Sequence, residues 1–162
     1  MCTKGASGLK KIIVGCNTAA VISKLVVVPE NATYEKPREI AFATDFNIGY
    51  SVTMLDQLKE MASLNKAPLR VLNVLEKDDT LDDQQTTNKQ NLKDCLKGVE
   101  HSFHTLTSNE VETAVQCFVE SMYIDMTVIL AKNRVFSQRV WLKPMVKNIS
   151  YHIDIPFLVL HV

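Results

Sequence analysis

From Ile40 onward, the sequence alternates five times between short apolar runs and segments with helical periodicity. The runs are rich in branched and aromatic residues and lack a 3.6-residue period, which is typical of strands buried on both faces. The predicted strands are residues 40–46, 69–75, 101–106, 126–131 and 157–162. Strands that alternate with helices indicate a doubly wound α/β domain with a parallel sheet and right-handed crossovers.

Helices are predicted between these strands, the first over residues 49–65. The next has an apolar face from Leu92 to Val99, and a strongly amphipathic helix spans residues 111–122. Asn109 and Glu112 have the spacing of a capping box for that helix. Pro144 fits a first helical position, after a loop or short helix over residues 134–142. Cys95 and Cys117 lie on apolar helix faces, so both are predicted to be small core residues.

The first 28 residues differ from the rest, because they read as a loop, a helix start at residues 15–18 and a strand at Leu25–Val28. A shift of 128 residues places Lys4 on Lys132 and Val21 on Ile149, which suggests a tandem of two similar domains. We therefore expect residues 1–29 to be the C-terminal remnant of a first domain, 30–37 a linker, and 38–162 a complete domain. A truncated reading frame with no separate function is a further alternative.

Composition excludes several classes of protein. Lys+Arg and Asp+Glu both number 18 in 162 residues, so no basic face indicates nucleic-acid binding. No segment has the roughly 20 apolar residues of a membrane span, and the three apolar residues before Cys16 are too few for a secretory signal. The four cysteines lack metal-site spacing. Free thiols and a cytoplasmic location are expected.

Asp45 is the first candidate functional residue, since it lies near the C-terminal end of the first strand of the complete domain. Open parallel sheets bind ligands at the carboxyl ends of their strands, so Asp45 would lie at that edge if its strand is central. The alternative is that Asp45 only caps the next helix or its turn. The two roles are compatible.

Thr3–Lys10 and Gly15–Ala19 resemble the nucleotide loop of the universal stress protein family, which carries Gly-x2-Gly-x9-Gly-Ser/Thr. Its positions fall here on Cys2, Gly5, Gly15 and Cys16. Residues 43–46 resemble the end of a first strand in that family, and residues 149–160 its closing helix and strand. The resemblance implies five parallel strands in the order 3-2-1-4-5 with helices on both faces.

The resemblance also implies a nucleotide site. Thr44 and Asp45 match the end of the first strand, where the acidic residue binds ribose or adenine-side groups, and Val74 matches a backbone contact on the second strand. Gly5 and Gly15 match the phosphate loop of the first domain, where backbone N–H groups approach phosphates.

Departures from the family pattern remove groups that would bind the phosphates of a nucleotide. Cys2 replaces a glycine, and Cys16 replaces a hydroxyl with a poor hydrogen-bond donor. The corresponding loop of the complete domain, residues 131–144, contains no glycine and ends at Pro144, which has no N–H. Its basic residues could attract an anion or serve as solvated surface charge: Lys132, Arg134 and Lys143.

We therefore predict a non-enzymatic stress-response module that acts through dimerisation and partner binding, with no bound cofactor. The alternative is an ATP-binding switch or slow ATPase that uses Asp45 and the basic loop residues. In the family, closing strands of two domains pair, so we expect residues 25–28 and 157–162 to lie antiparallel, within one chain or in a homodimer. His101 and His104, three apart on a strand, should point to opposite faces and not form a metal pair.

Overall fold

The computed structural model describes residues 9–15, 24–29, 35–131 and 155–161. The strands are β1 (Leu9–Gly15), β2 (Lys24–Pro29), β3 (Ile40–Ala43), β4 (Leu69–Leu75), β5 (His101–Thr107), β6 (Met126–Ala131) and β7 (Phe157–His161). The helices are α1 (Val52–Asn65), α2 (Asp83–Cys95) and α3 (Val111–Ser121). The strands form one sheet in the order β1-β2-β7-β6-β3-β4-β5. Among the described helices, none is long and apolar enough to cross a membrane.

Strand β3 lies inside the sheet, and its four residues are all buried. It pairs in parallel with β4 on one side, where Phe42 is opposite Val71, and with β6 on the other, where Phe42 is opposite Val128. The predicted α/β fold with a parallel sheet flanked by helices is therefore confirmed. Strand β3 is shorter than the predicted residues 40–46, because Phe46 adopts a left-handed conformation with φ 58° and turns the chain.

Two apolar cores form on the two faces of the sheet. On one face, Leu55 and Leu58 of α1 and Leu92 of α2 pack with Phe42. On the other, Val115 and Phe118 of α3 pack with the small side chains Ala41 and Ala43 and with Leu72. Neighbouring residues of β3 thus serve opposite cores, as strand alternation requires.

Helices α2 and α3 correct two sequence predictions. The predicted capping box of α3 is wrong, since the N-cap is Glu110 and has no side-chain cap hydrogen bond. Asn109 instead accepts a hydrogen bond from the backbone N–H of Lys77 (3.3 Å), across the loop after β4. The prediction that Cys117 is a core residue is also wrong, because Cys117 is exposed, whereas Cys95 is partly buried.

The N-terminal segment corrects a third prediction. Residues 9–15 form strand β1, although no strand was predicted before Leu25, and they pair antiparallel with β2, with Ile12 opposite Val27. The branched residues Ile12, Ile13 and Val14 favour extended backbone once a neighbouring strand supplies hydrogen bonds. The predicted helix after Cys16 lies outside the described residues.

Strand β2 pairs antiparallel with β7, with Leu25 opposite Val159 and Val27 opposite Phe157. The expected juxtaposition of these two segments is thus found within one chain. Strand β7 also pairs in parallel with β6, so β7 joins the hairpin-like pair β1–β2 to the parallel strands. The predictions for residues 132–154 lie outside the described part of the chain, including those for Lys132, Arg134 and Lys143.

A polar network crosses β4 and β5 on the α3 face. Arg70 donates two hydrogen bonds to the carboxylate of Glu39 (2.7 and 3.0 Å) and a third to Ser102 Oγ (3.0 Å). Ser102 Oγ is 2.7 Å from His104 Nε2, and the His104 ring packs against Phe118. Since arginine can only donate, the serine proton is assigned to the bond with His104, which leaves the imidazole neutral.

The network predicts a loss of stability in acid. Burial and the Arg70 guanidinium lower the pKa of His104 in the folded chain. As the pH falls, the His104 imidazole is therefore protonated in the unfolded chain before it is protonated in the folded chain. The contribution of His104 is therefore fully present above about pH 6.5 and lost as the pH falls through its folded-state pKa. In urea denaturation at about pH 7.5 and about pH 5.5, the wild type should lose more stability than His104→Gln. An equal loss in both would contradict this assignment.

Candidate functional site

The carboxyl ends of β3 and β4 form the candidate site. Strand β3 stops at Ala43 while β4 continues to Leu75, so the end of β4 extends past its neighbour. From β3 the chain proceeds to β4 and β5 on one side, and it later places β6 on the other side. Strand order reverses at this point, which is where open α/β sheets bind ligands.

The carboxylate of Asp45 is occupied within its own turn. Its Oδ1 accepts the backbone N–H of Asn47 (3.0 Å), and its Oδ2 accepts the side-chain amide of Asn47 (2.7 Å). Helix α1 begins instead at the N-cap Ser51, whose side chain accepts from the N–H of Met54. Asp45 therefore caps the turn and not the helix, and it remains half-buried at the sheet edge.

Thr44 is buried and also turned inward. Its hydroxyl is hydrogen-bonded to the phenol of Tyr50 and accepts the backbone N–H of Phe46 (3.2 Å). Burial raises the pKa of Tyr50 to about 12, so the phenol stays protonated at neutral pH. The hydroxyl of Thr44 therefore supports the turn from inside.

Three consecutive carbonyl oxygens of this turn each accept a hydrogen bond from a side-chain amide. Asn73 donates to Thr44 O (3.0 Å), Gln85 to Asp45 O (2.9 Å), and Asn88 to Phe46 O (2.7 Å). We name these three donors, Asn73, Gln85 and Asn88, the amide clamp. Asn73 lies on β4, and the other two lie on α2. The clamp holds the turn that carries Asp45 between the sheet and a helix.

Sequence reasoning missed the amide clamp, although one signal was present. Asn73 interrupts the otherwise apolar end of β4, and it is 1% exposed. A buried amide in such a strand needs partners, because burial without hydrogen bonds is costly. Asn88 is similarly buried four residues before Leu92, on the inner face of α2.

Val74 brings backbone groups to the same edge. The carbonyl of Leu72 accepts the N–H of Thr44, so the backbone groups of Leu72 face β3. Two residues later, the N–H and C=O of Val74 face the same side, beyond the point where β3 has ended. The predicted contact residue thus directs a donor and an acceptor toward the turn at Asp45.

The structure brings together only some of the predicted site residues. Thr44, Asp45 and Val74 meet at one edge, whereas Gly15 ends the outer strand β1 opposite Lys24. Gly15 is four strands from β3 in the sheet order, or about 19 Å at the usual strand spacing. Gly5 lies outside the described residues.

The histidine pair has separate environments. The ring of His101 packs edge-on against Phe103, while the ring of His104 packs against Phe118 of α3. Within the part of the chain that the structure describes, no group of three or more metal-ligating side chains is found.

The two hydrogen bonds of the Thr44 hydroxyl predict that Thr44→Val and Tyr50→Phe will differ in their loss of stability. Thr44→Val removes the partner of both Phe46 N–H and the Tyr50 phenol, and each buried group left unpaired costs about 1–3 kcal/mol. Tyr50→Phe leaves the bond from Phe46 intact. Thr44→Val should therefore lower the free energy of unfolding by at least about 1 kcal/mol more than Tyr50→Phe in urea denaturation. A larger loss in Tyr50→Phe would contradict this geometry.

Comparison with known proteins identifies the fold. No family model matches the sequence, and no curated protein matches it either. Among solved structures, a universal stress protein from Archaeoglobus fulgidus has a TM-score of 0.55 at 18% identity, covering 75% of this chain and 97% of that chain.

Two similar structures contain nucleotides. The universal stress protein from Archaeoglobus fulgidus in complex with dAMP has a TM-score of 0.53 at 17% identity, covering 75% of this chain and 96% of that chain. A universal stress protein in complex with cAMP has a TM-score of 0.54 at 12% identity, covering 77% of this chain and 97% of that chain. The structure of this chain therefore has the fold of the universal stress proteins.

Proposed function

We propose that this chain is a member of the universal stress protein family that acts without catalysis, by pairing with other protein chains, and whose nucleotide site is degraded. The observation that carries this proposal is the state of Asp45. Both of its carboxylate oxygens are engaged by Asn47 within the turn. A ligand hydroxyl would have to share these oxygens or displace Asn47.

The two segments that correspond to the family's phosphate loop also support a degraded nucleotide site. Phosphate loops bind anions through backbone N–H groups that glycines leave uncovered. Residues 131–144 contain no glycine, and Pro144 has no N–H to donate. In the N-terminal segment, Cys2 and Cys16 stand where the family pattern has a glycine and a hydroxyl.

The sheet supports the pairing part of the proposal. Strand β7 forms an antiparallel ladder with β2, a strand that precedes the parallel series in the sequence. A closing strand that accepts an antiparallel neighbour is suited to pairing between domains. Because β6 and β2 already occupy both sides of β7, we propose that partners dock at the β1 end of the sheet, either as a domain of the same chain or as a second copy.

The second candidate function is a nucleotide-binding switch or slow ATPase that uses Asp45 and the basic residues of the 131–144 loop. The position of Val74 favours it, because its backbone N–H and C=O face the side of β4 where β3 has ended, and a donor and an acceptor side by side suit the edge of a purine base. The similar structures bound to dAMP and cAMP make adenine nucleotides the first ligands to test.

Thermal unfolding with ligand separates the two candidates. A ligand at 100 times its Kd stabilises a fold by about 2.7 kcal/mol, which raises the Tm of a chain this size by several degrees. With ATP and magnesium at millimolar concentration, we expect a shift of at most about 1 °C. Adenosine in place of ATP shows whether the nucleoside binds without the phosphates.

Matched variants make the result specific. Asp45→Ala should leave any small shift unchanged, as should Asp79→Ala, which removes an exposed carboxylate from the loop after β4. A shift of several degrees with ATP that disappears in Asp45→Ala and persists in Asp79→Ala would refute the degraded site and show nucleotide binding that depends on Asp45.

A further inference from the structure

The two halves of helix α2 are attached to the rest of the fold in different ways. Within its bounds the buried residues are Asn88 and Leu92, and Leu96 follows just after its end. Apolar contact is therefore concentrated in the second half of the helix. The first half is held by Gln85 and Asn88, whose amides reach the carbonyls of the turn at Asp45 and Phe46.

The side-chain oxygens of Gln85 and Asn88 accept hydrogen bonds that form only when the helix is folded. Gln85 Oε1 accepts the N–H of Asp82 (3.0 Å), while Asp82 Oδ1 accepts the N–H of Gln85 (2.7 Å), which together form a capping box. Asn88 Oδ1 accepts the side-chain amide of Gln84 (3.2 Å). Both donors are thus oriented toward the turn by hydrogen bonds that exist only while the first turns of α2 are formed.

Phe46 depends on α2 in a further way. Its φ of 58° is a conformation that residues other than glycine rarely adopt. Its ring lies beside Phe103, and Lys89 of α2 places its ammonium 5.7 Å from the Phe46 ring centre and 5.8 Å from that of Phe103. Undocking of α2 would remove this cation, and with it the hydrogen-bond donors to two successive carbonyls.

We propose that Gln85 and Asn88 are positioning residues that couple the docking of α2 to the conformation of the turn carrying Asp45. The turn and the first half of α2 open and close together, as one local unit. A molecule that binds the closed turn more tightly than the open turn therefore stabilises the docking of α2, and a partner that binds docked α2 more tightly stabilises the closed turn. This coupling does not depend on which of the proposed functions is correct.

The sharpest test weakens α2 at a position that does not contact the turn. Asp82→Ala removes the side-chain cap of α2, and Asp83→Ala is the matched control, since Asp83 is the next residue, exposed and without a capping bond. Amide hydrogen exchange followed by NMR reports on the N–H of Phe46, the first half of α2 and Val128 of β6 as reference. We expect Asp82→Ala to accelerate amide exchange at Phe46 and in the first half of α2 by the same factor, about threefold or more. The exchange rate of Val128 should stay unchanged.

A second pair of variants tests the clamp itself. Asn88→Asp keeps the size of the side chain and removes the donor to Phe46 O, and Asn91→Asp adds the same charge at an exposed position of α2. Asn88→Asp should accelerate exchange at Phe46 and in α2 about tenfold relative to Asn91→Asp. Gln85→Ala replaces Asn88→Asp if that variant does not fold.

Three results would overturn the coupling. The first is faster amide exchange in α2 of Asp82→Ala while Phe46 keeps its wild-type exchange rate, because the helix and the turn would then open separately. The second is a wild-type rate at Phe46 once the clamp donor is removed. The third is equal acceleration at Phe46, α2 and Val128, which would show a loss of global stability only.

Discussion

The backbone at the end of β3 has a hydrogen-bonding requirement that organises the surrounding structure. A strand in the middle of a parallel sheet has neighbours for its N–H and C=O groups, but β3 stops at Ala43 while β4 continues. The carbonyls of the next three residues leave the ladder in a largely buried region, where an unpaired polar group is costly. Side-chain amides from β4 and α2 supply the missing donors.

This solution determines what the sheet edge can do chemically. The carbonyls of Thr44 and Phe46 are occupied, the Thr44 hydroxyl faces Tyr50, and the Asp45 carboxylate holds Asn47. The polar groups that remain oriented toward the space past β3 include the backbone N–H and C=O of Val74.

Much of the fold was predictable from the sequence, because its main elements follow from local patterns. The apolar runs that became β3, β4 and β6 are buried on both faces, and their lack of helical period reflects that burial directly. Strand β1 was missed because extended backbone at Ile12–Val14 depends on pairing with β2, which is a contact between separate segments. The capping box at Asn109 failed for a similar reason, since the backbone of Lys77 takes the amide oxygen.

The candidate site was predicted less completely than the fold. Asp45 was named because it lies at the end of a predicted strand, whereas Thr44 and Val74 were named from the family resemblance, and the order of the strands places all three at one edge of the sheet. The amide clamp was not found, since Gln85 and Asn88 belong to a polar helix and their role depends on where α2 docks. Only Asn73 carried a sequence signal, as a polar residue in an apolar strand.

The turn after β3 is held closed by hydrogen bonds from within the fold. Hydrogen exchange of the Phe46 N–H in the unaltered protein tests this directly, because that group lies in a turn and donates to the buried hydroxyl of Thr44. The account predicts protection comparable to that of the Thr44 N–H, which is bonded to β4. Exchange of Phe46 at the rate of an unprotected amide would contradict it.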